Sequence, residues 1–338
     1  MYYYTIINNY LTKNYMPKSL INKNIEFYSE DILSIAVDLL SNKDLVAFPT
    51  ETVYGLGADA TSDIAVSQIF KLKNRPFINP LISHVSNKNM AYSFCKETHL
   101  SNILADAFWP GPLTIIMEQK NNSSISKFAT ANLDSIAMRV PKSKILQDII
   151  SKLNKPIAAP SANKSGMVSP TAAEHVFEEF GEKIKLIIDN GPTEKGIEST
   201  VVDARSNYPV ILRPGPVTFE MIQKATNSQT KLNTSSELIE SPGQLLKHYS
   251  TQKRLILNST NCSHDCAFLG FKNLIPDNKF DGVSLNLSKN GNLDEAATNL
   301  FSMLRTLDKS NAKNIMVAPI PNKGIGVAIN DRLKRAAS

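Results

Sequence analysis

The sequence predicts an α/β protein built on a mixed sheet, followed by a second, smaller α/β domain. Three observations carry this expectation. From Ile25 onward, short apolar runs of strand length alternate with stretches whose apolar residues recur at helical spacing. Several of those strands are joined by short loops, which implies antiparallel neighbours among the parallel ones. The alternation then pauses over 225–241, where Asn, Ser, Thr, Gln and Lys dominate, and restarts at Arg254.

In order, 32–40 reads as a helix, 45–48 as a buried strand and 64–73 as a helix with Val66, Ile69 and Phe70 on one face. A strand at 80–85, a helix at 102–108 and a strand at 113–117 follow. Strands at 136–140, 157–159, 186–189, 199–203 and 210–212 are interrupted by helices at 143–153 and 172–180. Beyond 254, strands lie near Leu255 and Phe268 and over 283–287 and 315–318. The helix at 293–307 sets Leu293, Ala297, Leu300, Leu304 and Leu307 on one face, the spacing of a core-facing helix. Gly324 and Gly326 make only part of a dinucleotide fingerprint and read as a tight turn before a helix at 329–337. The expected organisation is an extension without fixed structure over 1–24, a main domain over 25–219, a linker over 220–252 and a second domain over 253–338. Met16 could serve as an alternative start.

Composition narrows the class. The chain has 338 residues, 42% of them hydrophobic and 20% charged, which is ordinary for a soluble globular protein with room for two domains. Its net charge of +6 suits phosphate-bearing ligands or RNA without requiring either, and a lysine-rich surface explains it equally. No apolar run reaches the roughly 18 residues of a membrane helix, and 1–24 has no signal-peptide core. Three cysteines, an odd and sparse set, point to a reducing cytoplasm. Cys262, His264 and Cys266 offer three zinc ligands, but a fourth is missing and the spacing is unlike paired-cysteine knuckles, so a polar loop is favoured.

The chemistry lies at strand ends. Pro49-Thr50-Glu51-Thr52-Val53-Tyr54-Gly55-Leu56-Gly57 follows the 45–48 strand and reads as a loop of hydroxyls, a carboxylate and a phenol, where open α/β sheets put ligands. Lys71, Lys73 and Arg75 close the following helix before Pro76, in part as cations complementing its dipole, with Asn79, Pro80 and His84 beyond. Arg139 sits on a short apolar strand, where a charge has to be paired or ligand-bound. Ser161 and Asn163 lie in a loop of small residues, Ser199 opens a strand after Gly196, and Arg213 ends another. Any one of these is a turn; six polar or basic strand-end loops in one domain make a site. Arginine forks suit phosphate and carboxylate. The Walker pattern and the Ser-His-Asp and Cys-His constellations are not legible, so catalysis would rest on positioning and charge stabilisation.

The series PTETVYGLG, KLKNRPFINPLISHV, SIAMRVP, PSANKSG, GIESTVVD and ILRPGP strongly resembles the YrdC-like family of threonylcarbamoyl-adenylate synthases over about 25–219. SPGQLLKHYS and GIGVAINDRLKRAA resemble the linker and C-terminal domain of its longer form. The resemblance implies a twisted mixed sheet with helices around a large basic cavity, plus a Rossmann-like C-terminal domain. It implies that L-threonine, bicarbonate and ATP, with Mg2+, give threonylcarbamoyl-AMP and pyrophosphate. The product would pass to a tRNA threonylcarbamoyl transferase complex that modifies the adenosine next to the anticodon, in the cytoplasm, with weak RNA binding as a secondary property. Carried over by motif, Lys73, Arg75, Ser161 and Asn163 would be the family's basic and polar tetrad. Thr52, His84, Arg139, Ser161 and Ser199 would contact threonine. Arg75, Asn79, Ser135, Asn163, Thr171 and Arg213 would contact ATP, with Tyr249 closing over it. Ser250-Thr251 stand where the family has a small residue and a proline, which predicts a looser path after Tyr249.

Two rival readings make different demands. A hydrogenase-maturation carbamoyltransferase would carry acylphosphatase and zinc-finger-like segments upstream, and none is visible. A double-stranded RNA binder would show an extended basic stripe, whereas the basic residues here fall at strand ends beside hydroxyls.

Overall fold

The computed structural model describes residues 24–232, 248–262, 265–274 and 282–338. The expected N-terminal extension up to residue 23, residues 233–247 of the linker and His264 of the cysteine cluster lie outside them. The first sheet runs in the order β1 (Ile25–Phe27), β8 (Leu186–Asp189), β2 (Val46–Pro49), β3 (Tyr54–Asp59), β7 (Ile157–Ala158), β4 (Ile82–His84), β6 (Ser135–Arg139), β5 (Leu113–Glu118), β9 (Thr200–Asp203), β10 (Val210–Arg213) and β11 (Lys231–Leu232). It is mixed: β8 pairs in parallel with β1 and β2, β2 is antiparallel to β3, and β4 is parallel to β6.

Around it pack α1 (Glu30–Ser41), α2 (Asp63–Lys73), α3 (Lys88–Phe94), α4 (His99–Phe108), α5 (Lys127–Thr130), α6 (Lys144–Leu153), α7 (Ala173–Phe180) and α8 (Phe219–Thr226). Strand alternation decides which face each helix meets. Val46 and Phe48 of β2 pack with Leu33, Ala36 and Leu40 of α1 and Ile145, Ile149 and Ile150 of α6. Leu45 and Ala47 point the other way, into a core with Val66, Ile69 and Phe70 of α2, Leu104 of α4 and Val176 of α7. All of these helix starts but that of α7 carry a side-chain cap. Ser29 accepts from the Ile32 amide, with Glu30 and Asp31 in the first turn of α1, and Thr98 and Ser101 form a capping box on α4.

Two differences from the sequence reading shape the first unit. The stretch expected as a loop over 49–57 is a tight turn at 50–53 between β2 and β3, with Gly57 opposite Val46 and Gly55 opposite Phe48. Gly57 is required there, because a Cβ would lie 2.3 Å from the Phe48 ring. Within the segment expected as linker, α8 is capped by Thr218 and buries Ile222 in the first core, and Lys231–Leu232 pair with β10.

The second sheet is parallel, in the order β12 (Arg254–Ile256), β15 (Asn314–Val317), β13 (Cys266–Gly270) and β14 (Ser284–Asn286). Two helices, α9 (Leu293–Asp308) and α10 (Gly326–Ala336), bury Leu300, Leu304, Ile329 and Leu333 with it. Val53, Val168 and Ile197 of the first unit join this same core. The approach is close: Gly196, at φ +68°, lies so near α9 that a Cβ would sit 2.3 Å from the Thr298 carbonyl oxygen.

Candidate active site

One pocket collects the polar strand ends. Its walls are the β2–β3 turn, Arg75 after α2, His84 at the end of β4, Arg139 at the end of β6, Ser161 after β7, Ser199 before β9 and Arg213 at the end of β10. Apolar surface comes from Val53, Ile82 and Ala159. Its cationic groups come from several different elements, and each is held by its own partners.

Arg139 is buried and fully directed. Its Nε donates to the Gly111 carbonyl (3.1 Å), Nη1 donates to Thr52 Oγ1 (3.1 Å), and Nη2 lies 2.7 Å from Glu51 Oε1 as an ion pair. Thr50 donates to the Val53 carbonyl at 2.6 Å, and its Oγ1 lies 2.8 Å from that of Thr52. Thr52 thus donates its proton to Thr50 and accepts from Arg139. Glu51 and Tyr54 shape the turn: the first pairs Arg139, and the second donates to Asp189 Oδ1 (3.1 Å) and the Gly191 carbonyl (2.8 Å). His84 is pushed down to about 3, by burial first and then by Arg139, so its imidazole is neutral at physiological pH.

The opposite wall holds Arg75 and Arg213. Arg75 donates to the carbonyls of Asn79 (3.2 Å) and Pro80 (3.0 Å), and burial together with Arg213 brings it down to about 9. Arg213 donates to the Ser199 carbonyl at 3.1 and 2.9 Å and to Ser199 Oγ at 3.1 Å. Ser199 Oγ in turn lies 2.8 Å from Thr114 Oγ1. Lys73 is buried behind this wall and points at the loop: its Nζ donates to the carbonyls of Ser161 (2.6 Å) and Asn163. Burial and the nearby Arg75 hold it well below the usual lysine range.

Seven of the residues expected from the sequence therefore line one pocket: Thr52, Arg75, His84, Arg139, Ser161, Ser199 and Arg213. Six others are buried outside its immediate wall. Lys73 and Asn163 brace the Ser161 loop, the Asn163 amide donating to the Lys164 and Met167 carbonyls at 2.8 Å each. Asn79 Oδ1 and Asn163 Oδ1 find no hydrogen-bond partner among the described residues. Ser135 begins β6, at the far end of that strand from Arg139, and the Thr171 amide donates to His175 Nδ1 (3.2 Å). Tyr249 is fully buried, stacked on Phe301 with centroids 5.3 Å apart.

Two ionisable wall residues have no assigned role in the sequence reading: Glu198 and His248. Glu198 accepts from Ser169 Oγ (2.5 Å) and from Arg332 Nε of α10 (3.0 Å). Burial alone would raise its carboxyl, but Arg332 and then Arg213 outweigh that and hold it at about 2. His248 is brought down to about 3 by burial, despite Glu198, with Arg75 and Arg213 adding to the fall. The missing proline after Tyr249 is compensated. The Ser250 amide donates to the Gly166 carbonyl (2.7 Å), Thr251 Oγ1 donates to the Lys253 carbonyl (2.6 Å), and the Lys253 amide donates to Asp308 (2.9 Å).

Chemically, the pocket is a polar cavity with three inward arginines whose one lining carboxylate, Glu198, is already paired to Arg332, so it selects anionic groups. Residues 38–215 match the family profile of Sua5, YciO and YrdC proteins, described as "Telomere recombination". Residues 217–338 match one described as the threonylcarbamoyl-AMP synthase C-terminal domain. The chain is 36% identical to the threonylcarbamoyl-AMP synthase of Pyrococcus abyssi, over 90% of this chain and 94% of that one. It is 34% identical to that of Bacillus subtilis, over 89% and 92%. The crystal structure of P. abyssi Sua5 complexed with L-threonine superposes with a TM-score of 0.84 at 34% identity, covering 93% of this chain and 96% of that one.

Proposed function

Since this chain belongs to the Sua5–YciO–YrdC family, in the form that carries the threonylcarbamoyl-AMP synthase C-terminal domain, we infer that it is an adenylyl-transferring synthase acting on L-threonine, bicarbonate and ATP. The observation that carries this reading is a single pocket joining the Arg139–Thr52–His84 cluster to Arg75 and Arg213. One side suits a small amino acid and the other a polyphosphate.

The threonine amine adds to bicarbonate with loss of water, giving a carbamate. A carbamate oxygen attacks the α-phosphorus of ATP, and pyrophosphate leaves with the bonding pair. Arg139, pre-aligned by Glu51 and the Gly111 carbonyl, receives the threonine carboxylate, with Thr52, Ser161 and Ser199 hydroxyls fixing orientation and neutral His84 available as a hydrogen-bond partner. Arg75 and Arg213 face the charge that gathers on the phosphate oxygens, and their carbonyl contacts keep them in place before the reaction begins. Lys73 acts through the loop it braces, holding Ser161 and Asn163. Asn79, Ser135, Asn163 and Thr171 complete the nucleotide side, and buried Tyr249 fixes the segment that sets His248 against the pocket.

Magnesium fits this site only as a companion of the triphosphate. The lining carboxylate Glu198 is engaged with Arg332, and Glu51 behind the wall with Arg139, so among the described residues the ion finds no dedicated ligand. Bound to ATP oxygens, it would neutralise charge on the leaving pyrophosphate. The product serves threonylcarbamoylation of tRNA and passes to a transferase complex in the cytoplasm; among the described residues no helix is long and apolar enough to cross a membrane.

The test is pyrophosphate release from ATP by the purified full chain, with threonine and bicarbonate omitted in turn. Release requires both. Release that continues without threonine would defeat the reading.

A further inference from the structure

Arg332 heads the largest side chains that are fully buried among the described residues, and it belongs to α10 of the second unit. Its partner belongs to the first: Nε donates to Glu198 Oε2 at 3.0 Å. Nη1 donates to Asp331 at 2.7 Å, and the guanidinium lies 5.4 Å from the Tyr249 ring centroid. Glu198 is no remote anchor. It lines the pocket beside Ser199, Arg213 and His248.

A strap between two units needs no charge, since an apolar pair of similar volume holds an interface as well as a buried ion pair. The charge here has a different use. A carboxylate on the wall of a cavity that takes a triphosphate would repel it, and would compete for the same arginines.

Building on the ATP-site reading above, we propose that Arg332 is a positioning residue of the nucleotide site: α10 inserts its guanidinium behind the pocket wall to neutralise Glu198, so that the triphosphate meets Arg75 and Arg213 without an uncompensated carboxylate beside them. The second unit thereby becomes part of the nucleotide site without touching the nucleotide. Burial of the pair and the low carboxyl of Glu198, held down by Arg332 ahead of Arg213, agree with this.

The experiment is calorimetric titration of the full chain with ATP and, separately, with L-threonine. Arg332→Met is expected to raise the ATP Kd by about tenfold or more while the threonine Kd stays within about twofold, because the stranded carboxylate opposes the polyanion. Adding Glu198→Gln to Arg332→Met removes that carboxylate and is expected to return the ATP Kd to within about threefold of the parent. An unchanged ATP Kd in Arg332→Met, equal weakening of both ligands, or a double variant no better than the single one overturns the proposal. Should Arg332→Met fail to fold, Arg332→Lys, which keeps the charge, and the charge-balanced double variant carry the test. Both must bind ATP to within about threefold of the parent, and loss of ATP binding in either overturns the proposal. A parent chain that binds ATP but releases no pyrophosphate with threonine would defeat the functional reading and leave this inference standing.

Discussion

Thr52 shows how much one hydroxyl is asked to do. It donates toward Thr50, accepts from Arg139 and faces the pocket where we set the threonine substrate. Thr52→Val keeps the shape and removes those bonds; steady-state kinetics should show the KM for threonine rising about tenfold with a smaller change in kcat. An unchanged KM would remove Thr52 from the threonine site. Protonation makes a second residue-scale prediction. His84 and His248 are brought from 6.5 to about 3, so the folded chain holds them neutral while the unfolded chain protonates them below pH 6.5. The stability they contribute is whole above pH 6.5 and is lost as pH falls toward 3. Thermal melts should lose stability over that window, and His84→Gln should lose it less steeply; parallel curves would contradict the burial-driven shift. Residue type alone makes Arg139 legible, because a guanidinium on a short apolar strand needs a partner or a ligand, whereas Thr52 and Arg75 stand out from their neighbours only through the family resemblance. Arg332 was hidden: in Asp331-Arg332-Leu333-Lys334-Arg335 it reads as one more cation of a basic helix end, and only the tertiary contact with Glu198 distinguishes it.

At the scale of elements, most strands and helices follow from periodicity, because strands such as β6 and β8 are apolar runs with sharp polar ends. β3 does not. Tyr54-Gly-Leu-Gly-Ala-Asp carries two glycines, which read as loop, but the glycines are there to admit the Phe48 ring across the ladder. Gly57→Ala should therefore destabilise the chain by about 1–3 kcal/mol in denaturant unfolding, by overpacking against that ring. Adding Phe48→Leu should recover part of the loss, since it removes the clashing atoms. No recovery would mean that the glycines serve backbone conformation instead. α8 was likewise read as linker, because its short, polar sequence hides a single core residue, Ile222.

For the whole molecule, the two sheets share a core through Val53, Val168 and Ile197. Charged contacts also cross between the units: Arg332 with Glu198, and Arg305 with Glu179 at 3.0 Å. The two units should unfold as one. Trp109 is the sole tryptophan and lies in the first unit, so its fluorescence reports that unit while far-ultraviolet circular dichroism reports both. Their denaturation midpoints should coincide, and separated midpoints would show that the units unfold independently. The sequence resolved two α/β units but not their joint core, because residues such as Val53 and Ile197 look like ordinary turn neighbours until the second sheet lies over them. On the function inferred above, this joined body condenses threonine, bicarbonate and the adenylyl group of ATP in one pocket. Mass spectrometry of the product formed from 13C-bicarbonate tests it most directly. The expected product is a threonylcarbamoyl adenylate that carries the label and forms only when threonine is present. An unlabelled adenylate, or ATP consumed to ADP or AMP with no threonine adduct, would contradict it.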